Sequence, residues 1–253
     1  PCAAGSSSRE LRGGSPSADV ALPPGPLESA RAPPLDPARD PLGGGARAGG
    51  RARRASSGGA GYGEQDVFPA DESHALRPVS PYGAAKIAVE LYLHFYRVQY
   101  GLDYTALRYA NVYGPRQDPH GEAGVVAIFS QRLLKGQAAV VNGDGEQTRD
   151  YVYVGDVVRA NVAALTRGGG KSINIGTGVE TSVNTLFRAL RDLSGSRQEE
   201  IHGPGMPGEQ RRSCLENRMA FDELGWYPEV SLEEGLARTL AFFRDKTSNP
   251  GAW

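Results

Sequence analysis

Apolar side chains follow no helical or strand rhythm over residues 1–54, and settle into alternating helix and strand periods from Tyr62 onward. Runs such as residues 42–50, Leu-Gly-Gly-Gly-Ala-Arg-Ala-Gly-Gly, carry few large apolar groups. Such a segment cannot bury enough surface to offset a backbone ordering cost of roughly 1–2 kcal/mol per residue, so disorder is expected there.

After a Pro-rich loop over 68–79, Ser80-Pro81 reads as a helix start, with Ser as N-cap and Pro at the first helical position. Ile87, Leu91, Phe95 and Val98 then recur at spacings of three or four, which predicts one buried stripe, and Gly101 suits a left-handed C-cap. Strands are predicted over Tyr104–Val112, ending before Gly114-Pro115, and over Ser172–Ile175. Two more, Ala138–Val141 and Thr148–Val154, flank an Asn-Gly-Asp-Gly turn and read as a hairpin. Helices are predicted over Val125–Lys135, Val157–Thr166, Val183–Leu193 and Leu232–Phe243. Strands alternating with helices predict an α/β fold built on a parallel sheet.

Composition sharpens the division near residue 55. Nine of the 18 prolines lie in residues 1–41, no aromatic residue precedes Tyr62, and all eight basic residues before Ser56 are arginine. This excess of Ala, Gly, Pro and Arg is what a GC-rich coding sequence yields when read out of frame, and residues 1–54 are expected to be anomalous for that reason. The net charge of −1 gives no electrostatic basis for binding nucleic acid or an anionic membrane. Two unpaired cysteines, Cys2 and Cys214, fit a reducing compartment, and no stretch approaches the ~20 apolar residues of a membrane span. A cytoplasmic protein is expected. The four histidines are scattered and read as ordinary polar residues, and no metal site is indicated.

The sharpest local feature is Tyr82-Gly83-Ala84-Ala85-Lys86. On a helix beginning at Pro81, Tyr82 and Lys86 share a face. A phenol is a poor base near neutral pH, and an ammonium beside it favours the phenolate. A nearby hydroxyl would stabilise the same anion and orient a substrate alcohol, a combination suited to proton removal while hydride leaves the carbon. The pair by itself is more often a core ring beside a solvated amine. Ser56-Ser57-Gly58-Gly59 places hydroxyls upstream of it.

Further motifs follow in order: Leu107-Arg108-Tyr109-Ala110-Asn111-Val112-Tyr113-Gly114-Pro115, Gln147-Thr148-Arg149-Asp150-Tyr151-Val152, Asn174-Ile175-Gly176-Thr177-Gly178, and Pro207-Gly208-Glu209-Gln210-Arg211-Arg212. With Ser57, Tyr82 and Lys86 they resemble the NAD-dependent epimerase/dehydratase family of extended short-chain dehydrogenases, nearest the bacterial UDP-glucose 4-epimerases, over roughly three quarters of the chain. The resemblance implies an incomplete Rossmann-type parallel sheet with a smaller C-terminal substrate-binding domain. The sheet portion would comprise 55–112 with 151–175 and 219–246, the sugar-nucleotide portion 113–150 with 176–218, and the tail 247–253. It implies Ser57, Tyr82 and Lys86 as the catalytic set, with Tyr82 as acid/base. Ser56, Tyr82, Lys86 and Tyr109 would meet NAD. Asn111, Val140, Asn142, Arg149 and Arg211 would meet a UDP-sugar. Simpler roles stand beside these: a polar cap for Asn111, strand and turn positions for Val140 and Asn142, and an ion pair with Asp150 for Arg149. Relatives often pair through the helix 82–100, so a homodimer is a further implication.

Two departures bear on the activity. Related 4,6-dehydratases carry an Asp-Glu pair where this chain has Gly58-Gly59, which favours epimerisation over dehydration. The Gly-x-x-Gly-x-x-Gly turn by which the family binds NAD does not occur in the sequence. The expectation is a UDP-hexose 4-epimerase lineage. The alternatives are a non-catalytic remnant with an exposed apolar edge and little NAD affinity, or another nucleotide-sugar epimerase or reductase.

Overall fold

The computed structural model describes residues 53–120, 124–206 and 209–248. Residues 1–52, and the expectations made for them, lie outside the described residues, as do the side chains of 53–57 and 247–248. Strand β1 (Arg53–Gly58) forms, and its first two residues, Arg53 and Arg54, belong to the segment expected to be disordered. It runs parallel to β2 (Tyr104–Tyr109), and β2 runs parallel to β6 (Lys171–Ile175), so the α/β expectation holds. In this register Ser57, Arg108 and Asn174 stand side by side.

The predicted strand 104–112 is broken at Ala110. Its second part, β3 (Asn111–Tyr113), leaves the first sheet and pairs with β5 (Thr148–Tyr153). Strand β5 is the hub of the second sheet, with β7 (Glu180–Ser182) antiparallel and β9 (Arg212–Ser213) parallel to it. The hairpin expected between 138 and 154 does not form. Its first strand, β4 (Val140–Asn142), pairs in parallel with β8 (Ile201–Gly203) instead. Asn184 accounts for this: its amide donates to the Asp144 carbonyl at 2.9 Å and to Glu146 at 2.6 Å, wedging the 143–147 loop open. Gly145, at φ +70°, sits so close that a Cβ there would lie 1.7 Å from Asn184 Oδ1.

Helix α1 (Pro81–Tyr100) starts and stops as the sequence predicts. The Ser80 hydroxyl accepts from the Gly83 N–H at 3.1 Å, and Gly101 closes the helix at φ 66°. Its buried face is a correction. Leu91, Phe95 and Val98 are exposed, while Gly83, Glu90, Leu93 and Tyr96 face inward. The apolar cluster there is small, comprising Leu93, Tyr104 and Ala106, and the buried Glu90 shares the face. On the other face of β2 and β6, Leu107, Ile173 and Ile175 pack under α3 (Val154–Ala163) and α5 (Arg218–Leu224). The third cluster joins α2 (Val125–Leu134), α4 (Val183–Ser194) and α6 (Leu232–Ser248) around Phe129, Phe187 and Leu236. No helix among the described residues is long and apolar enough to cross a membrane.

Candidate functional site

Parallel α/β sheets gather chemistry at the C-terminal ends of their strands, and this chain places its tyrosine–lysine pair there. The last residue of β1, Gly58, leads into a short 3-10 helix (Gly59–Tyr62) and then the loop to α1. Tyr82 lies in the first turn of α1 and is exposed, and the Lys86 ammonium stands 5.3 Å from its ring centroid. Ser56 and Ser57 are placed by backbone alone, opposite Leu107 and Arg108 of β2. Gly59 is buried, and a Cβ there would lie 3.2 Å from the Leu215 side chain, so the site of the dehydratase carboxylate has little room.

Tyr109 ends β2, and its hydroxyl donates to Asn161 on α3 at 2.9 Å. Burial raises the pKa of this phenol, an effect the Asn161 hydrogen bond opposes. Two residues on, across the Ala110 break, Asn111 opens β3 and lines a cavity of about 340 Å³. Val140 and Asn142 from β4 and Arg149 from β5 line the same cavity, closed on one side by Ile128 and Phe129 of α2. Four residues singled out from three separate segments therefore meet in one space. Arg211 lines a neighbouring cavity of about 310 Å³ that shares Asn142, Gln147, Met206 and Glu209 with the first. Tyr82 and Lys86 line neither cavity.

The arginines are engaged by carboxylates that sequence reasoning passed over. Arg149 donates to Glu209 at 3.1 Å and to its neighbour's carbonyl on Thr148 at 2.8 Å. It is not paired with Asp150, because strand alternation turns that carboxylate the other way. Asp150 instead accepts from the Thr177 hydroxyl at 2.6 Å and from the N–H groups of Thr177, Gly178 and Leu215. Burial pushes the Asp150 carboxyl up, and those hydrogen bonds work against the shift. Arg211 grips Asp144 through two bonds of 2.8 and 2.9 Å. That pairing, with the Glu146 N–H, holds the exposed Asp144 carboxyl down to about 2.

Gln147, also passed over, donates to the Asn142 carbonyl at 3.0 Å and lines both cavities. Glu209 sits inside the Pro-Gly-Glu-Gln-Arg motif and Asp144 inside the Asn-Gly-Asp-Gly turn, so spacing to the arginines was the available signal. The segment that carries Glu209 and Arg211 is tied to the loop before α1. The Gln210 amide donates to the Gly63 carbonyl, and the Cys214 N–H to Gln65 at 2.9 Å. His74 and His202 make local hydrogen bonds, to the backbone of Asp66 and Gly143 respectively. Among the described residues no group of three or more potential metal ligands stands together.

Comparison with known proteins places these features in context. Residues 46–176 match the NAD dependent epimerase/dehydratase family. A UDP-glucose 4-epimerase from Mycolicibacterium smegmatis is 52% identical over 194 residues, which is 76% of this chain and 62% of that protein. The structure of Thermotoga maritima UDP-glucose 4-epimerase with UDP-glucose superposes with a TM-score of 0.77 at 51% identity, covering 79% of this chain and 65% of that one. Thermus thermophilus UDP-glucose 4-epimerase, solved with NAD, gives 0.73 at 43% identity, covering 77% and 64%. The chain thus spans less than two thirds of the length of these relatives.

Proposed function

Because the chain belongs to the NAD dependent epimerase/dehydratase family, we propose that it carries the acid/base and sugar-nucleotide parts of a UDP-hexose 4-epimerase. The observation that carries this reading is the convergence of Asn111, Val140, Asn142 and Arg149 on one cavity, in a chain half identical to UDP-glucose 4-epimerases. Val140 and Asn142 would flank the nucleoside. The forked guanidinium of Arg149 suits bidentate contact with a diphosphate, and Asn111 would donate to the diphosphate or the sugar.

Tyr82, with Ser57 as its hydroxyl partner, would remove the proton from the sugar 4-hydroxyl and later return it. Lys86 stands beside it on the same face of α1, 5.3 Å from the Tyr82 ring centroid. Lys86, Tyr82, Tyr109 and Ser56 are residue types suited to the nicotinamide-ribose end of NAD, with Tyr109 closing β2 and Tyr82 and Lys86 in the first turns of α1. The glycine turn for the pyrophosphate does not occur in the sequence. When bound, NAD supplies hydride acceptance and return. The crowded Gly59 favours epimerisation over dehydration, since a carboxylate side chain there would displace Leu215.

The test is product analysis of the purified chain with UDP-glucose and NAD, beside Tyr82→Phe. Interconversion with UDP-galactose that is lost in Tyr82→Phe supports the reading. UDP-glucose binding without turnover would reduce this chain to a sugar-nucleotide-binding remnant. Absence of UDP-glucose binding would overturn both.

A further inference from the structure

The inward face of α1 poses a question of cost. Glu90 and Arg108 are buried to 7% and 5% exposure and joined by two bonds, Nε to Oε1 at 2.9 Å and Nη2 to Oε2 at 2.7 Å. The remaining groups are satisfied from other elements. Arg108 Nη1 donates to the Tyr62 hydroxyl at 2.8 Å, Tyr62 donates to Asn174 at 2.7 Å, and the Ser172 hydroxyl donates to Glu90 at 2.9 Å. The guanidinium also lies over the Tyr62 ring, 5.1 Å from its centroid. Five pieces of the fold therefore meet here: the 3-10 helix, α1, β2, β6 and, through the Glu72 carbonyl, the loop between them.

A buried ion pair is a weak way to gain stability, because desolvation offsets most of the attraction and apolar replacements of equal volume are often neutral or better. What such a pair does supply is a fixed geometry, since a bidentate fork tolerates little sliding. Its placement is specific. Glu90 follows Tyr82 and Lys86 at intervals of four and so continues their row along α1 by one turn. Arg108 is the register partner of Ser57.

We propose that the Glu90–Arg108 pair is a positioning device that locks the row Tyr82–Lys86 on α1 to the register position of Ser57 in the sheet. This rests on the reading of those three residues as the reacting set. Neither Glu90 nor Arg108 touches substrate; they act by holding α1 against sliding or rolling on β2.

The experiment replaces the pair by apolar groups in the full chain, Glu90→Leu with Arg108→Met, and reads four quantities. Thermal unfolding should stay at or near that of the parent. UDP-glucose affinity by calorimetry should change less than about twofold, because the cleft is built from other elements. With 3-fluorotyrosine at position 82, the parent should give one narrow fluorine resonance, and the double variant a shifted, broadened or split one. In turnover assays kcat should fall about tenfold or more at unchanged KM, as a misplacement of about 1 Å would cause. A folded double variant whose fluorine resonance matches the parent overturns the proposal. Should the double variant not fold, Arg108→Lys, which keeps the charge and loses the fork, takes its place under the same criteria. Absence of turnover in the parent would count against the proposed activity alone, while the fluorine spectrum still decides the positioning.

Discussion

Arg108 and Arg149 each meet one glutamate, Glu90 and Glu209 respectively, but the two pairs sit in different media. The first pair has side chains 7% and 8% exposed and is joined by two bonds, with Tyr62 and a backbone carbonyl accepting from Nη1. The second pair, 14% and 31% exposed, is joined by one bond at the wall of a cavity. Attraction between charges grows as water is excluded, and so does the penalty for leaving one of them alone. The same two residue types thus make a permanent joint in one place and an exchangeable contact in the other. On the proposed reading a diphosphate would displace Glu209 from Arg149, whereas Arg108 is enclosed.

Removing a single partner tests the contrast most severely. Arg108→Met leaves Glu90 buried without its counter-charge, and we expect a loss of about 3–5 kcal/mol in urea unfolding. Arg149→Met should cost less than about 1 kcal/mol of stability, as for a partly exposed pair. Its effect should appear in binding instead. Loss of charge-assisted hydrogen bonds worth about 1.5–3 kcal/mol predicts UDP-glucose affinity roughly 10–100-fold weaker by calorimetry. If Arg149→Met destabilised the fold as much as Arg108→Met, the division into joint and contact would be wrong.

A subtler cut is Tyr62→Phe, which keeps the ring under the guanidinium and removes the hydroxyl that accepts from Arg108 and donates to Asn174. It should cost about 1–3 kcal/mol by the same unfolding measurement, because two buried groups lose a partner. In the parent, burial drives that phenol up to about 12, against the pull of Arg108. The hydroxyl should therefore stay protonated through any neutral assay.

The smallest effect belongs to the fully exposed pair Arg211–Asp144. Its folded-state carboxyl, at about 2, lies below the ordinary value of 3.8. The contribution is therefore present above 3.8 and fades as pH falls through about 2. Urea midpoints of the parent and Asp144→Asn, followed from about pH 5 to about pH 2, should differ slightly at the upper end and converge at the lower.

Local rules made the ends of α1 legible, because Ser80, Pro81 and Gly101 each satisfy a backbone requirement that depends only on nearby residues. The motif residues of the cleft were legible for a different reason, each lying in a strand end or turn that resembles a known family. The buried face of α1 was not legible. Apolar periodicity pointed to Leu91, Phe95 and Val98, whereas the face that turns inward carries a glutamate whose partner lies eighteen residues away. Periodicity counts apolar groups and is blind to a charge neutralised by a distant segment. The false hairpin failed in the same way. The Asn-Gly-Asp-Gly sequence favours a tight turn, but Asn184 from α4 takes the loop's hydrogen bonds and sends β5 into another sheet. In β1, pairing with β2 orders Arg53 and Arg54, whose own segment shows no strand rhythm.

The adjacency of Arg149 and Asp150 on β5 has a consequence for how the molecule can go wrong. A slip of one residue in the pairing of β5 would exchange the two side chains between faces. A guanidinium would enter the nest where the Thr177, Gly178 and Leu215 N–H groups converge, and donors would face donors. A carboxylate would meanwhile line the cleft and repel an anion. Since β5 borders β3, β7 and β9, the error would propagate through every neighbour. Misregistered chains would then be caught as folding failures before they could persist as poor binders, so the strand that lines the proposed diphosphate cleft also proofreads it.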